Sequence, residues 1–307
     1  MGVKTAAMAL TVMASSMGWS VAAAAQCVTV DPVVVPDMRI DPLDTTGAAQ
    51  LMQPATLNFR RTGADATPLT ILYQILDEDS PVHARVGASA GPQVEWRSDD
   101  TGRDISVSRG DAYALLRSGK ITLAPDETSK QAGVRLFLKE LREDLPAGVY
   151  REQFTLRYWC GDDASAAMPY ESPGIVTVTV QVPNVLSASI AGASTRGEID
   201  FLDFATLSRS LSVSVRSTGR YRVNARSLNG SVMLREGAAG PGQAERIAYS
   251  VRFGGHALGL GADGGFVNPR AGLAGQQIPL EVTAEDVSKK RAGAYRDTLI
   301  LTLSPVS

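Results

Sequence analysis

The side chains suited to chemistry are few and far apart. Cys27 and Cys160 are the two thiols of the 307 residues. Neither belongs to a Cys-x-x-Cys pair, so a dithiol redox motif and a cysteine-ligated zinc site are excluded by number. Two histidines, His83 and His256, lie far apart, and neither has the spacing of a metal ligand or of a His-Glu-x-x-His motif. The acidic doublets Asp99-Asp100 and Asp162-Asp163 sit among turn formers and read as solvated carboxylates, not as a catalytic pair or a calcium loop. Gly254 to Gly265 is rich in glycine but lacks the strand-to-helix pattern of a phosphate loop, so it reads as a hairpin connection. Asn229-Gly230-Ser231 matches a glycosylation sequon and reads more simply as a turn. These residues assemble no catalytic constellation and no metal or cofactor site. A secreted carbohydrate-active enzyme would need clustered carboxylates on one face, and the spacing supplies none.

The chain carries an export address. Lys4 provides a positive start, Ala6 to Val21 is mostly apolar and uncharged, and Ala22 to Ala25 offers a small-residue cleavage site before Gln26. Residues 1–25 are therefore expected to be a signal peptide. The stretch is too rich in Ala, Ser and Gly to serve well as a membrane span, and Gln26 ahead of Cys27 argues against a lipoprotein. Export favours a Cys27–Cys160 disulfide, with two buried free thiols as the alternative. The bridge would close a loop of 133 residues, where chain-entropy arguments allow at most about 4–5 kcal/mol. A net charge of −2 gives no electrostatic reason to expect nucleic acid.

A repeat organises the rest. Pro146-Ala147-Gly148-Val149-Tyr150-Arg151-Glu152-Gln153-Phe154-Thr155-Leu156-Arg157-Tyr158 and Arg291-Ala292-Gly293-Ala294-Tyr295-Arg296-Asp297-Thr298-Leu299-Ile300-Leu301-Thr302-Leu303 share A-G-x-Y-R-acid, 145 positions apart. Alternation then places Tyr150, Phe154, Leu156 and Tyr158 on one strand face, and Tyr295, Leu299, Leu301 and Leu303 on another. Gly148 and Gly293 fit a turn that needs a permissive backbone. A strand pattern precedes each copy, at Val134 to Leu138 and at Ile278 to Val282, so two related domains are predicted. Further strands are expected at Ala55–Phe59, Leu69–Tyr73, Leu211–Val215, Tyr221–Ala225 and Ile247–Phe253, the pattern of all-β sandwiches. Asp126 to Leu145 has the best helical composition. The boundary falls near Pro183-Asn184, giving domains at 26–183 and 184–307.

The two copies differ in the residues that come after them. Cys160 is succeeded by a polar turn, Gly161 to Pro173, and then by an alternating closing strand that carries Val176, Val178, Val180 and Val182 on one face. After Leu303 only four residues remain, so the second domain is expected to lack its last strand. An unpaired edge beside an apolar groove invites another chain to pair there. That groove is assigned to Tyr295, Leu299, Leu301 and Leu303. The alternative is internal completion by Leu186 to Ile190.

Ala292 to Leu303 resembles the closing strand of spore-coat-U-like pilins of archaic chaperone–usher pili, which carry A-G-x-Y-x-D followed by alternating apolar residues. Tyr221, Ser227 to Gly230 and Ile247 to Tyr249 are similar to that family's middle portion. The likeness covers Asn184 to Ser307, and the first domain only through its hairpin. It implies immunoglobulin-like sandwiches, the second incomplete. It also implies a periplasmic chaperone, an outer-membrane usher and a neighbouring pilin that donates the strand. Only Gln26 precedes Cys27, and Pro32 and Pro36 interrupt Val28 to Val35, so this chain has little to donate. Accepting without donating suits the two-domain tip adhesin of such a pilus, exported to the cell surface. A host or surface receptor would then meet the first domain's distal loops, for which Pro81 to Gly102, with His83 and Trp96, is the candidate. A core role for Trp96 is the competing reading, and Trp159 reads as packing near the disulfide. The competing function is a self-contained secreted structural or coat protein of the same family.

Overall fold

The computed structural model of the chain describes residues 26–43, 52–63, 67–77, 85–87, 91–108, 117–140, 144–162, 168–190, 194–238, 242–261 and 264–306. The expected signal peptide and His83 fall outside them. The protein is all-β, with no α-helix among the described residues. Accordingly, no helix among them is long and apolar enough to cross a membrane.

The first sandwich packs two sheets. One has the order β1 (Val28–Val30), β4 (Met52–Arg61), β9 (Ser129–Glu140) and β6 (Gln93–Ser98). The other runs β2 (Val33–Val34), β11 (Tyr170–Val182), β10 (Gly148–Cys160), β5 (Leu69–Asp77) and β7 (Ser106–Ser108), with β3 (Met38–Arg39) on β11 and β8 (Gly119–Leu123) on β5. Proline explains how the N-terminal segment is shared between them. β1 pairs with β4 in the first sheet, while β2 and β3 pair parallel with β11 in the second, and Pro32 and Pro36 interrupt the segment where no ladder donor is available. Between the sheets Phe59 packs on Tyr73, and Trp96 meets Phe154 edge-on with ring centroids 5.8 Å apart.

The helical composition of Asp126 to Leu145 loses to periodicity. Ser129–Glu140 is a strand whose Ala132, Val134, Leu136 and Leu138 all point into the core, a spacing of two that a helix cannot bury on one side. The polar turn after Cys160 is also shorter than expected, since β11 already begins at Tyr170.

The second sandwich has one sheet of β12 (Leu186–Ile190), β13 (Ser208–Ser217), β19 (Gly272–Ala284), β16 (Arg246–Phe253), β15 (Val232–Arg235) and β20 (Tyr295–Arg296), with β17 (His256–Leu258) on β16. Facing it are three strands, β18 (Phe266–Asn268), β14 (Tyr221–Ser227) and β21 (Leu299–Pro305). Alternation is regular where the sheets face each other: Tyr221, Val223 and Ala225 are buried on β14, and Ile247, Tyr249, Val251 and Phe253 on β16.

Among the described residues no strand pairing crosses Pro183–Val185, and the two cores are separate. Thr218 ties the halves together. Its hydroxyl donates to the Pro183 carbonyl (2.7 Å) and accepts from the Val185 amide (2.9 Å), while its own carbonyl accepts from Ala147 N–H (2.9 Å). The arrangement is tight enough that a Cβ on Gly219 would lie 2.5 Å from the Asn184 side chain.

Candidate functional site

The A-G-x-Y repeat is a tyrosine corner built twice. Tyr150 donates its hydroxyl proton to the Pro146 carbonyl at 2.8 Å, and Tyr295 donates to the Arg291 carbonyl at 2.6 Å, with the Ala244 carbonyl 3.1 Å away. In both copies the ring reaches back four residues and pins the turn that delivers the chain into its strand. The glycines are not equivalent. Gly293 adopts φ 148, and a Cβ there would press on Arg235 at 3.0 Å. Gly148 has no positive φ and only Tyr150 within 3.9 Å of a built Cβ, so the first turn does not require its permissive backbone.

The acid two residues on has also diverged. Glu152 accepts the Gly87 amide at 3.1 Å. Asp297 instead organises a hub in which the Ser227 and Tyr249 hydroxyls both donate to Oδ2 at 2.5 Å, and the Asn229 and Thr298 amides donate to Oδ1. Burial raises the Tyr249 phenol, and the carboxylate that accepts its proton raises it further, so it stays a donor.

Past the acid, the two copies meet different neighbours. β10 lies between β5 and β11, with Tyr150 opposite Val180, Glu152 opposite Val178 and Phe154 opposite Val176. Phe154, Leu156 and Tyr158 are each 0% exposed. β21 pairs with β14 alone, from Leu299 opposite Ser227 to Pro305 opposite Tyr221. Its other edge has no strand beside it among the described residues. Leu299, Leu301 and Leu303, the counterparts of Phe154, Leu156 and Tyr158, pack against the second core but stay half-buried.

Leu186 to Ile190, the candidate for internal completion, pairs antiparallel with β13 and not with β21. β12 thus forms the edge of the opposite sheet and approaches β21 across the gap without bonding to it. Its Leu186 and Ile190 pack against the second core, as do Leu299, Leu301 and Leu303, so apolar residues of both strands lie beside the edge of β21 that is unpaired among the described residues. Tyr295 is set apart from that ladder: on β20 its neighbour Arg235 belongs to the larger sheet, and its ring serves the corner. The far end of β21 is fastened to the junction, where the Val306 amide donates to Arg220 and the Val306 carbonyl accepts from the Asn184 side chain (2.7 Å).

The remaining candidate residues fall elsewhere. Cys27 and Cys160 form a disulfide with Cα atoms 6.3 Å apart, tying β1 to the end of β10. Trp96 does not lie in a distal loop. It sits in β6, 0% exposed and edge-on to Phe154, so its ring presents no surface to a ligand. Nor is the described part of the Pro81 to Gly102 segment distal as a whole, because Gly87 packs on Tyr150 beside the turn that meets the second sandwich. Trp159 packs with Leu72 on the sheet face turned away from the core. Among the described residues no group of three or more His, Cys, Asp or Glu could hold a metal ion.

Sequence reasoning missed Arg222 and Arg226, exposed on the outward face of β14, one strand in from this edge. The signal that could have found them is a strand with charged residues alternating against Tyr221, Val223 and Ala225, on a sheet whose partner strand is uncharged.

No protein-family model matches the chain, and no curated protein matches it in sequence. Solved structures similar to it include the CsuC–CsuE chaperone–tip adhesion subunit pre-assembly complex of archaic chaperone-usher Csu pili from Acinetobacter baumannii, at 12% identity and TM-score 0.41, covering 90% of this chain and 99% of that one. The CupB6 tip adhesin of Pseudomonas aeruginosa is similar at 14% identity and TM-score 0.41, covering 90% and 92%. CfaE, the adhesive subunit of CFA/I fimbria of enterotoxigenic Escherichia coli, is similar at 10% identity and TM-score 0.43, covering 90% and 94%.

Proposed function

We propose that the chain is a non-enzymatic subunit of a surface pilus, whose second sandwich is completed by a strand from a partner. The observation that carries this is the edge of β21, unpaired among the described residues, beside half-buried Leu299, Leu301 and Leu303. Physically, such an edge pairs readily with an extended segment, whose main chain supplies hydrogen bonds while alternate side chains cover the apolar residues beside it. The first sandwich holds the finished version of the same arrangement, with β11 in the place that is open beside β21. The likeness of Ala292 to Leu303 to spore-coat-U-like pilins supplies the candidates: a periplasmic chaperone first, then a neighbouring pilin delivered at an outer-membrane usher. In this reading the first sandwich is the adhesin of the pilus tip.

The test uses the intact, oxidised chain and a synthetic strand of alternating valines. Bound peptide should raise the thermal midpoint and slow hydrogen exchange across Leu299–Pro305, leaving β10 and β11 unchanged. A monomer that ignores the peptide and already protects both edges of β21 would instead favour a self-contained structural or coat protein.

A further inference from the structure

We propose that the strand accepted beside β21 is acidic on its outward face, and that Arg222 and Arg226 receive its carboxylates. This rests on the strand-accepting reading above and adds to it a charge requirement on the partner.

The outward face of the three-stranded sheet is basic, and no strand of that sheet supplies a carboxylate to balance it. Arg222 and Arg226 alternate with buried Val223 and Ala225, are exposed, and have no ion pair among the described residues. β14, β18 and β21 carry no Asp or Glu at all. Three arginines of the larger sheet and its turn do meet carboxylates: Arg235 and Arg291 pair with Glu245, and Arg296 with Glu236. The whole segment leans the same way. From Asn184 onward there are 14 Lys and Arg against 10 Asp and Glu, whereas 26–183 holds 15 against 22. An acidic segment is therefore drawn toward this half of the molecule.

Register decides whether the two arginines can reach. Arg222 lies opposite Ser304, Asn224 opposite Thr302 and Arg226 opposite Ile300. A strand added beyond β21 runs two strand spacings, about 10 Å, from β14. Ser304 and Thr302 are short, so the Arg222 side chain can lean across β21 toward an outward-facing Glu or Asp. Arg226 can lay its methylenes over Ile300, which is 44% exposed, and keep its guanidinium free. The first sandwich shows the same device completed. There Arg157, outward on β10, bonds Glu171 directly opposite on the closing strand at 3.1 Å. Thr302 occupies the matching place on β21, and the cations stand one strand further in.

Three peptides with identical inward valines and outward Glu, Thr or Lys, titrated onto the full oxidised chain by fluorescence anisotropy, test this. The Glu peptide should bind about tenfold tighter than the Thr peptide, the scale of two partly solvated ion pairs, and the Lys peptide weakest. The Glu advantage should shrink as salt rises from about 0.05 M to about 0.5 M. An Arg222→Glu/Arg226→Glu variant should invert the order and prefer the Lys peptide. Equal binding of the Glu and Thr peptides would overturn the charge requirement while leaving the strand-accepting reading intact. Failure of all three to bind would overturn both.

Discussion

Strand β10 in the first sandwich and β21 in the second are each reached through the same tyrosine corner and carry the same alternation, yet only β10 has a strand on both sides among the described residues. Phe154, Leu156 and Tyr158 are 0% exposed because β11 runs along their outer edge, while Leu299, Leu301 and Leu303 remain half-buried beside an edge where no described strand lies. Burial of a strand residue is thus decided by its neighbour more than by its own pattern. A leucine taken from exposed to fully buried gains roughly 1.5–3 kcal/mol, so three half-covered leucines leave a few kcal/mol for an incoming strand to collect. On the strand-accepting reading proposed above, this reserve is what drives the second sandwich to take a partner.

The largest expected difference between the two halves is their dependence on oxidation. Replacing Cys27 and Cys160 together by Ser should destabilise the first sandwich by up to about 4–5 kcal/mol, with the second sandwich melting as before in calorimetry. A uniform loss across both transitions would mean that the halves unfold as one unit.

Matched truncations of the two strands come next. Leu156→Ala should cost about 2–5 kcal/mol, as buried leucines do, whereas Leu301→Ala should cost about 1 kcal/mol or less until a strand peptide is bound. Denaturant titrations that return equal costs in the free protein would break the contrast between a sealed edge and an open one.

Where the halves are alike, the effects should match. Tyr150→Phe and Tyr295→Phe each remove one hydroxyl that donates to a turn carbonyl, a loss of about 0.5–1.5 kcal/mol. No change at Tyr295 beside a clear loss at Tyr150 would show that the second corner is not shaping its strand.

The smallest effect concerns acid. Glu95 is buried, which pushes its carboxyl up, but hydrogen bonds from Lys139 and Arg97 outweigh burial and hold it below its ordinary 4.5. A depressed folded-state value means that stability is fully present above the unfolded value and fades as pH falls through the folded one. The first sandwich should therefore weaken below about pH 4.5, and Glu95→Gln should flatten that part of its acid-unfolding curve. A variant curve of unchanged slope would assign the acid sensitivity to other carboxylates.

Much of this architecture was readable from period-two alternation and from the repeat. Val134 to Leu138, Ile278 to Val282 and the closing Val176 to Val182 all form the strands their patterns predict. Composition misled at Asp126 to Leu145, where helix-favouring residues lie on a strand because Val134, Leu136 and Leu138 must face one core. Trp96 carried both a ligand and a core reading, since a tryptophan beside charged residues can be surface or interior until its opposite sheet is known, and it lies in the core. Arg222 and Arg226 were overlooked because an exposed arginine is unremarkable until the strands around it prove to be without carboxylates.

The residue order alone determined the all-β class and the repeated turn-and-strand, and it favoured the pairing of the two cysteines, because these arise from local backbone preference, repeat spacing and the number of thiols. Only the tertiary structure decided that β12 joins β13, that β14 is the one strand beside β21 among the described residues, and that Arg222 and Arg226 stand one strand in from the unpaired edge. Sheet order arises from contacts between segments distant along the chain, and the alternation within a single strand carries no record of which strand will lie beside it.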